Sequence, residues 1–213
     1  MTTILLIRHG QSEANLTGVF AGNYDSPLVE LGFKQAEKTA EFIAENYKVD
    51  KVYASDLIRA FETGKTVANK LGLEVIPEPG MREIRAGKWE GIEFEKIISD
   101  FPEEYARWIE GTGDSGCPGG ENVRILCERV MNTLTELAEE NDGKTIAIAT
   151  HATPIRVSQT FITYGTVDEM VKVMWVPNAS VTEIKYNNGK WELVKVGQDG
   201  HLDGFKTNLP ANV

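Results

Sequence analysis

Histidine and cysteine are scarce in this 213-residue chain, with three of the first and two of the second. Cys117 and Cys127 make no C-x-x-C pair, and no second pair exists for a zinc site. Unpaired, reduced thiols in a cytosolic protein are the expectation, with a disulfide between the two left open. Long apolar runs are missing as well. No stretch reaches the roughly 18 apolar residues of a membrane-crossing helix. The apolar start is short, lacks a basic flank and runs into Arg8, so no secretory signal is expected and the reading is cytoplasmic. Positive charge is in deficit: 22 Lys and Arg stand against 32 Asp and Glu, a net charge of -10. That argues against an extended nucleic-acid surface, though not against a small cationic pocket. Neither repeats nor low-complexity tracts occur. Hydrophobic content of 41% and charged content of 25% suit one soluble domain over residues 1–213, long enough for a sizeable core.

What is present centres on one stretch. Thr3-Ile4-Leu5-Leu6-Ile7 reads as a short buried strand. Arg8-His9-Gly10-Gln11-Ser12-Glu13-Ala14-Asn15 follows at its C-terminal end, where open α/β sheets bind ligands. Gly10 permits a tight turn and close approach of backbone to a ligand. Ser12 is placed to cap a short helix whose free N–H groups would favour an anion.

The rest alternates strand and helix, which predicts a mostly parallel sheet. Residues 16–30 form a turn-rich loop. Phe33, Ala36, Ala40, Ile43, Ala44 and Tyr47 give one helical stripe. Lys51–Ala54 is a strand, followed by a helix capped by Ser55 or Asp56, with Arg59 in its first turn and off the buried stripe. An exposed Arg there opposes the helix dipole, which suits an anion-binding role. Residues 73–76 make a further strand. Residues 92–119 are an excursion holding two short helices, in which Tyr105, Trp108 and Ile109 face either a ligand or a small satellite core. A long helix follows from Val123, then the strand Lys144–Ala149, with His151 just beyond its end. Two of the three histidines thus stand at strand ends. Arg156 lies one turn into the next helix. Asn187-Asn188-Gly189-Lys190 signals a hairpin, and His201 is peripheral.

These motifs together resemble the histidine phosphatase superfamily, the phosphoglycerate-mutase-like fold. The match runs through Arg8-His9-Gly10-Gln11-Ser12 with Asn15, Ser55-x-x-x-Arg59-Ala60, Glu83-x-x-x-Gly87-x-Trp89-Glu90-Gly91, Gly119-Gly120-Glu121 and His151. Asn122 replaces the usual Ser, and Ala152 the usual Gly. The resemblance implies a three-layer αβα sandwich with a mostly parallel sheet, and a helical insert at about 92–119 capping the pocket. It implies a phosphomonoester hydrolase for a small phosphorylated metabolite, working through a phosphohistidine on His9. Glu83 would be proton donor, and His151, Arg8 and Arg59 would bind and stabilise the phosphoryl group. Asn15, Gly22, Asn23 and Ala152 are the implied substrate contacts. The scheme needs no metal and no cofactor. Its partner is a small phosphate ester, with no nucleic acid or membrane, and a homodimer is left open. The rival readings are a phosphoglycerate-type mutase and a non-catalytic phosphate-sensing or protein-binding module. A P-loop reading of Gly64-Lys65-Thr66 or Gly143-Lys144-Thr145 fails, because Arg59 and Ala138 stand where the first glycine is required.

Overall fold

Strand β1 (Thr2–Arg8) is buried along most of its length in the computed structural model, which describes residues 1–207. Its side chains alternate between two cores, Ile4 and Leu6 in one, Leu5 and Ile7 in the other. Two-sided burial explains the unbroken apolar run. Then follow α1 (Glu13–Thr17), β2 (Val19–Phe20), α2 (Glu30–Asn46), β3 (Lys51–Ala54), α3 (Ile58–Leu71) and β4 (Val75–Pro77). The insert holds β5 (Ile92–Glu93), α4 (Phe94–Asp100) and α5 (Pro102–Glu110). The chain continues through α6 (Val123–Glu140), β6 (Thr145–Thr150), α7 (Ala152–Tyr164), β7 (Val181–Asn187) and β8 (Lys190–Gln198).

Six strands form one sheet in the order β4-β3-β6-β1-β7-β8. The first four are mutually parallel, and the β7–β8 hairpin adds antiparallel on the β1 side. Helices α2 and α3 cover one face through Ala40, Ile43, Val67 and Ala68. Helices α6 and α7 cover the other through Leu126, Val130, Leu134 and Ile155. β1 and β6 are neighbours, yet the chain leaves β1 towards α2 on one face and β6 towards α7 on the other. Their C-terminal ends therefore flank a crevice, the switch point of an open α/β sheet.

Several local expectations change. Phe33 and Ala44 face solvent, and α2 buries Gln35 and Thr39 instead. The reason is hydrogen bonding: Gln35 Oε1 accepts from Gln11 N at 2.8 Å, and Thr39 Oγ1 donates to Ala179 O at 2.7 Å. Neither Ser55 nor Asp56 caps α3. Its N-cap is Leu57, without a side-chain bond, and Asp25 from a distant loop accepts from Ile58 N at 2.7 Å. Residues 16–30 are not all loop, since β2 pairs antiparallel with β5 of the insert. The insert has no satellite core: Trp108 belongs to the main cluster, and Ile109 is 57% exposed.

Candidate active site

Register brings the two strand-end histidines together. Arg8 pairs with Thr150 across β1 and β6, so His9 and His151 follow side by side. His9 N donates to Thr150 O at 2.9 Å, and the rings meet edge to face with centroids 5.2 Å apart. β3 is the next strand over, with Ala54 opposite Ala149, and it contributes Ser55 from the same sheet edge. Ser55 Oγ lies 2.8 Å from His151 Nε2, the role its sequence position did not announce.

His9 Nδ1 sits 2.7 Å from Gly10 O. A carbonyl can only accept, so Nδ1 carries the proton and Nε2 keeps its lone pair. Burial first, then the Arg59 and Arg8 charges, hold His9 well below its ordinary 6.5, against the opposing Gly10 bond. The imidazole is held neutral. His151 is likewise held well below 6.5, by burial and then by Arg59, His9, Arg129 and Arg8. A neutral ring keeps one N–H to donate. Its Nδ1 is buried without a partner among the described residues.

Arg8 is 2% exposed and Arg59 1%. Arg8 Nη1 donates to Val176 O at 2.7 Å, while its Nε is buried with no protein partner among the described residues. Burial lowers its pKa to about 10, leaving it charged at neutral pH. Arg59 is not the exposed cation that helical periodicity suggests. Its guanidinium donates to Gly22 O at 2.7 Å and Tyr24 O at 3.0 Å, which aims it and leaves other donors for a ligand. Glu83 closes the site: its Oε1 accepts from Ile84 N at 2.8 Å and its Oε2 from Thr153 N at 3.3 Å.

Arg8, His9, Asn15, Gly22, Arg59, Glu83 and Ala152 all line one pocket. His151 is absent from the lining and 0% exposed, with its ring against the edge of His9. Asn23 does not line the pocket; its Oδ1 is buried without a partner among the described residues. Asn15 Oδ1 is taken by Ser12 N at 3.2 Å and Asn178 Nδ2 at 3.1 Å, so only its Nδ2 donors remain for an anion. Gly22 has φ +50°, and a Cβ there would strike the Ala86 methyl and the Glu90 carboxylate at 2.6 and 2.8 Å.

Two roles expected near residue 10 belong elsewhere. A Cβ at Gly10 would collide with the Gly32 carbonyl, so its glycine serves packing against the start of α2, not ligand approach. Ser12 does cap α1, but the helix's donors are spent: Glu13 N on Pro27 O, Ala14 N on Ser26 Oγ and Asn15 N on Ser12 Oγ. No anion site is left there.

Several supporting residues carry no local signal in the sequence. Asn178 donates to His9 O at 3.1 Å as well as to Asn15. Thr63 accepts from Gly10 N at 3.1 Å. Arg129 Nη1 donates to Gly80 O at 2.8 Å and Arg82 O at 3.0 Å, and its Nη2 to Glu83 O at 3.2 Å. Glu121 holds Arg129 at 2.9 Å and accepts from Arg85 N at 2.8 Å. This pair braces the backbone that carries Glu83, and Gly119-Gly120-Glu121 is the one motif that points to it. Arg82 pairs with Asp56 outside the pocket. Arg156 donates to Val173 O and Met170 O, both at 2.8 Å. His201 stacks on Phe42 with centroids 4.6 Å apart, peripheral as expected.

A buried imidazole pair at a sheet's switch point, with two guanidinium groups and a carboxyl, defines a phosphoryl-binding α/β protein. The chain belongs to the histidine phosphatase superfamily (branch 1), whose family model matches residues 4–199. It is similar to phosphoserine phosphatase 1 of Hydrogenobacter thermophilus, 33% identical over 73% of this chain and 74% of that one. Phosphoglycerate mutase-like protein 4 of Arabidopsis thaliana is 30% identical over 94% of this chain and 86% of its own. Among solved structures, a phosphoserine phosphatase mutant from Entamoeba histolytica in complex with phosphoserine superposes with a TM-score of 0.82. It is 30% identical, covering 95% of this chain and 100% of that one.

Proposed function

We propose that this protein hydrolyses a small phosphomonoester through a phosphohistidine on His9. One observation carries the reading: His9, held as the Nδ1–H tautomer, shares its pocket with Arg8, Arg59 and Glu83. Guanidinium forks match phosphate oxygens and stabilise charge that builds on them in transfer. Asn15 Nδ2 adds a neutral donor, while Gly22 and Ala152 shape the wall. His151 Nδ1–H donates to the transferring oxygens, its tautomer set by the Ser55 hydroxyl donating to Nε2.

In the first step His9 Nε2 forms the N–P bond as the ester P–O bond breaks, and Glu83 gives its proton to the departing alkoxide. In the second, Glu83 takes a proton from water, the water oxygen bonds phosphorus, and the N–P bond breaks. Inorganic phosphate leaves and His9 returns neutral. The insert at 92–119 roofs the pocket within one domain. Unpaired, buried Cys117 and Cys127 support a cytoplasmic site of action.

A mutase would return the phosphoryl group to a second hydroxyl. Trp89-Glu90-Gly91 stands where the long mutases carry an Arg-His-Tyr-Gly segment, which favours the phosphomonoesterase. The test is phosphate release without added bisphosphoglycerate, together with alkaline detergent quenching of labelled enzyme. An acid-labile adduct on His9 and steady phosphate release are expected. An adduct elsewhere, or transfer without release, would overturn the reading.

A further inference from the structure

The pocket is cationic at one end only. Among the described residues, Arg8 and Arg59 are the sole Lys or Arg side chains in its lining, and both belong to the phosphoryl end. The remainder is walled by Val19, Phe20, Phe94, Trp108 and Trp175. Phe20 locks this wall, with its ring 5.4 Å from Phe94 and 5.7 Å from Trp108. Arg156 lies against Trp175, 4.2 Å from the ring centroid, but its Nε and Nη2 donate to backbone carbonyls and it does not enter the lining.

Two carboxyl groups stand at the phosphoryl end as well. Glu83 lines it, and the Glu90 carboxylate packs against Gly22, held there by Tyr24 N at 2.6 Å and Ala86 N at 2.7 Å. Two guanidinium charges match one phosphate dianion. A second anion on the substrate would lose water and meet aromatic carbon, with no cation in the lining left to pair it.

We infer that the alcohol half of the substrate is uncharged and apolar, an aryl- or alkyl-bearing phosphate monoester, and that carboxylate-bearing esters are poor substrates. This rests on the hydrolase reading above. It also separates the chain from relatives named for phosphoserine.

The test compares 2-phenylethyl phosphate, O-phosphoserine and 3-phosphoglycerate, all at equal ionic strength. The first has no leaving-group advantage over the others, so intrinsic reactivity does not produce the expected order. The wild type should turn over 2-phenylethyl phosphate with kcat/KM about tenfold or more above the other two, the scale of filling an apolar subsite. Phe94→Arg, at a half-buried position, should narrow that gap by raising activity on the acids. Equal or better turnover of O-phosphoserine by the wild type would overturn the inference and leave the hydrolase reading standing. If no ester is turned over, the hydrolase reading fails, and calorimetric titration of His9→Ala decides the pocket. Tighter binding of 2-phenylethyl phosphate upholds the inference, and equal or weaker binding overturns it.

Discussion

The floor and the roof of the pocket are built by different means. The floor is sheet: His9, His151 and Ser55 follow the ends of β1, β6 and β3, and their spacing is the spacing of hydrogen-bonded strands. The roof is packing: β2 and β5 pair over two residues each, and Phe20, Trp89 and Trp108 lean on one another. Ladder geometry allows little adjustment, whereas aromatic contacts tolerate exchange at the cost of some stability. On the proposed function, chemistry belongs to the floor and selectivity to the roof.

Substitutions on the floor should act on turnover. His9→Ala is expected to lower kcat by about 10³-fold or more, since it removes the proposed nucleophile. Phosphate release by a variant shown to be folded by circular dichroism measures this. Glu83→Gln should cost about 10²-fold in kcat while KM moves by less than about threefold, because only proton transfer is lost. Steady-state kinetics on an ester with a poor leaving group reads both. Near-wild-type kcat in either variant would remove that residue from the reaction.

Arg129 touches only the support of the floor. Arg129→Ala should lower kcat by about tenfold with little change in KM, and Arg129→Lys should recover part of it. A loss confined to thermal stability, with kcat intact, would reduce Arg129 to a structural brace.

Protonation probes the floor without mutation. His9 and His151 are held neutral in the folded state, well below the 6.5 they regain on unfolding. Below pH 6.5 the unfolded chain binds protons that the folded one refuses, so stability is complete above that pH and declines as pH falls towards the lowered values. Each histidine contributes a slope of about 1.4 kcal/mol per pH unit in that window. Thermal melts from pH 7.5 to 5 should show the decline, and His151→Ala should flatten it. A flat profile in the wild type would mean that the two rings charge freely.

The smallest effect is expected on the outer side of the roof. Ile109 is 57% exposed, so Ile109→Ser should leave kcat, KM and substrate preference within about twofold. A marked change would show that α5 turns inward when substrate binds.

Much of the floor is legible in the order of the residues. The apolar runs ending in Arg8-His9 and Thr150-His151 place both histidines at strand ends, because a strand buried on two faces must be continuously apolar. Capping by Ser12 and the hairpin at residues 187–190 are equally local signals, and each forms as expected. Non-local partners are not legible. Ser55 reads as a helix cap, and instead holds His151, 96 positions away. Arg59 reads as an exposed cation because helical periodicity cannot see the loop of Gly22 and Tyr24 folded over it. Arg129 sits in an ordinary amphipathic helix and carries no signal of the backbone it braces.

The sequence by itself determined the strands, the helices and the residue types that act on phosphate, since these follow from periodicity, capping and side-chain chemistry over a few neighbouring positions. The tertiary structure alone decided that β6 lies beside β1, that Glu83 reaches that junction and that aromatic carbon, not a third cation, walls the far end of the pocket. Strand order and side-chain convergence depend on which surfaces pack together, and packing is a property of the whole folded chain.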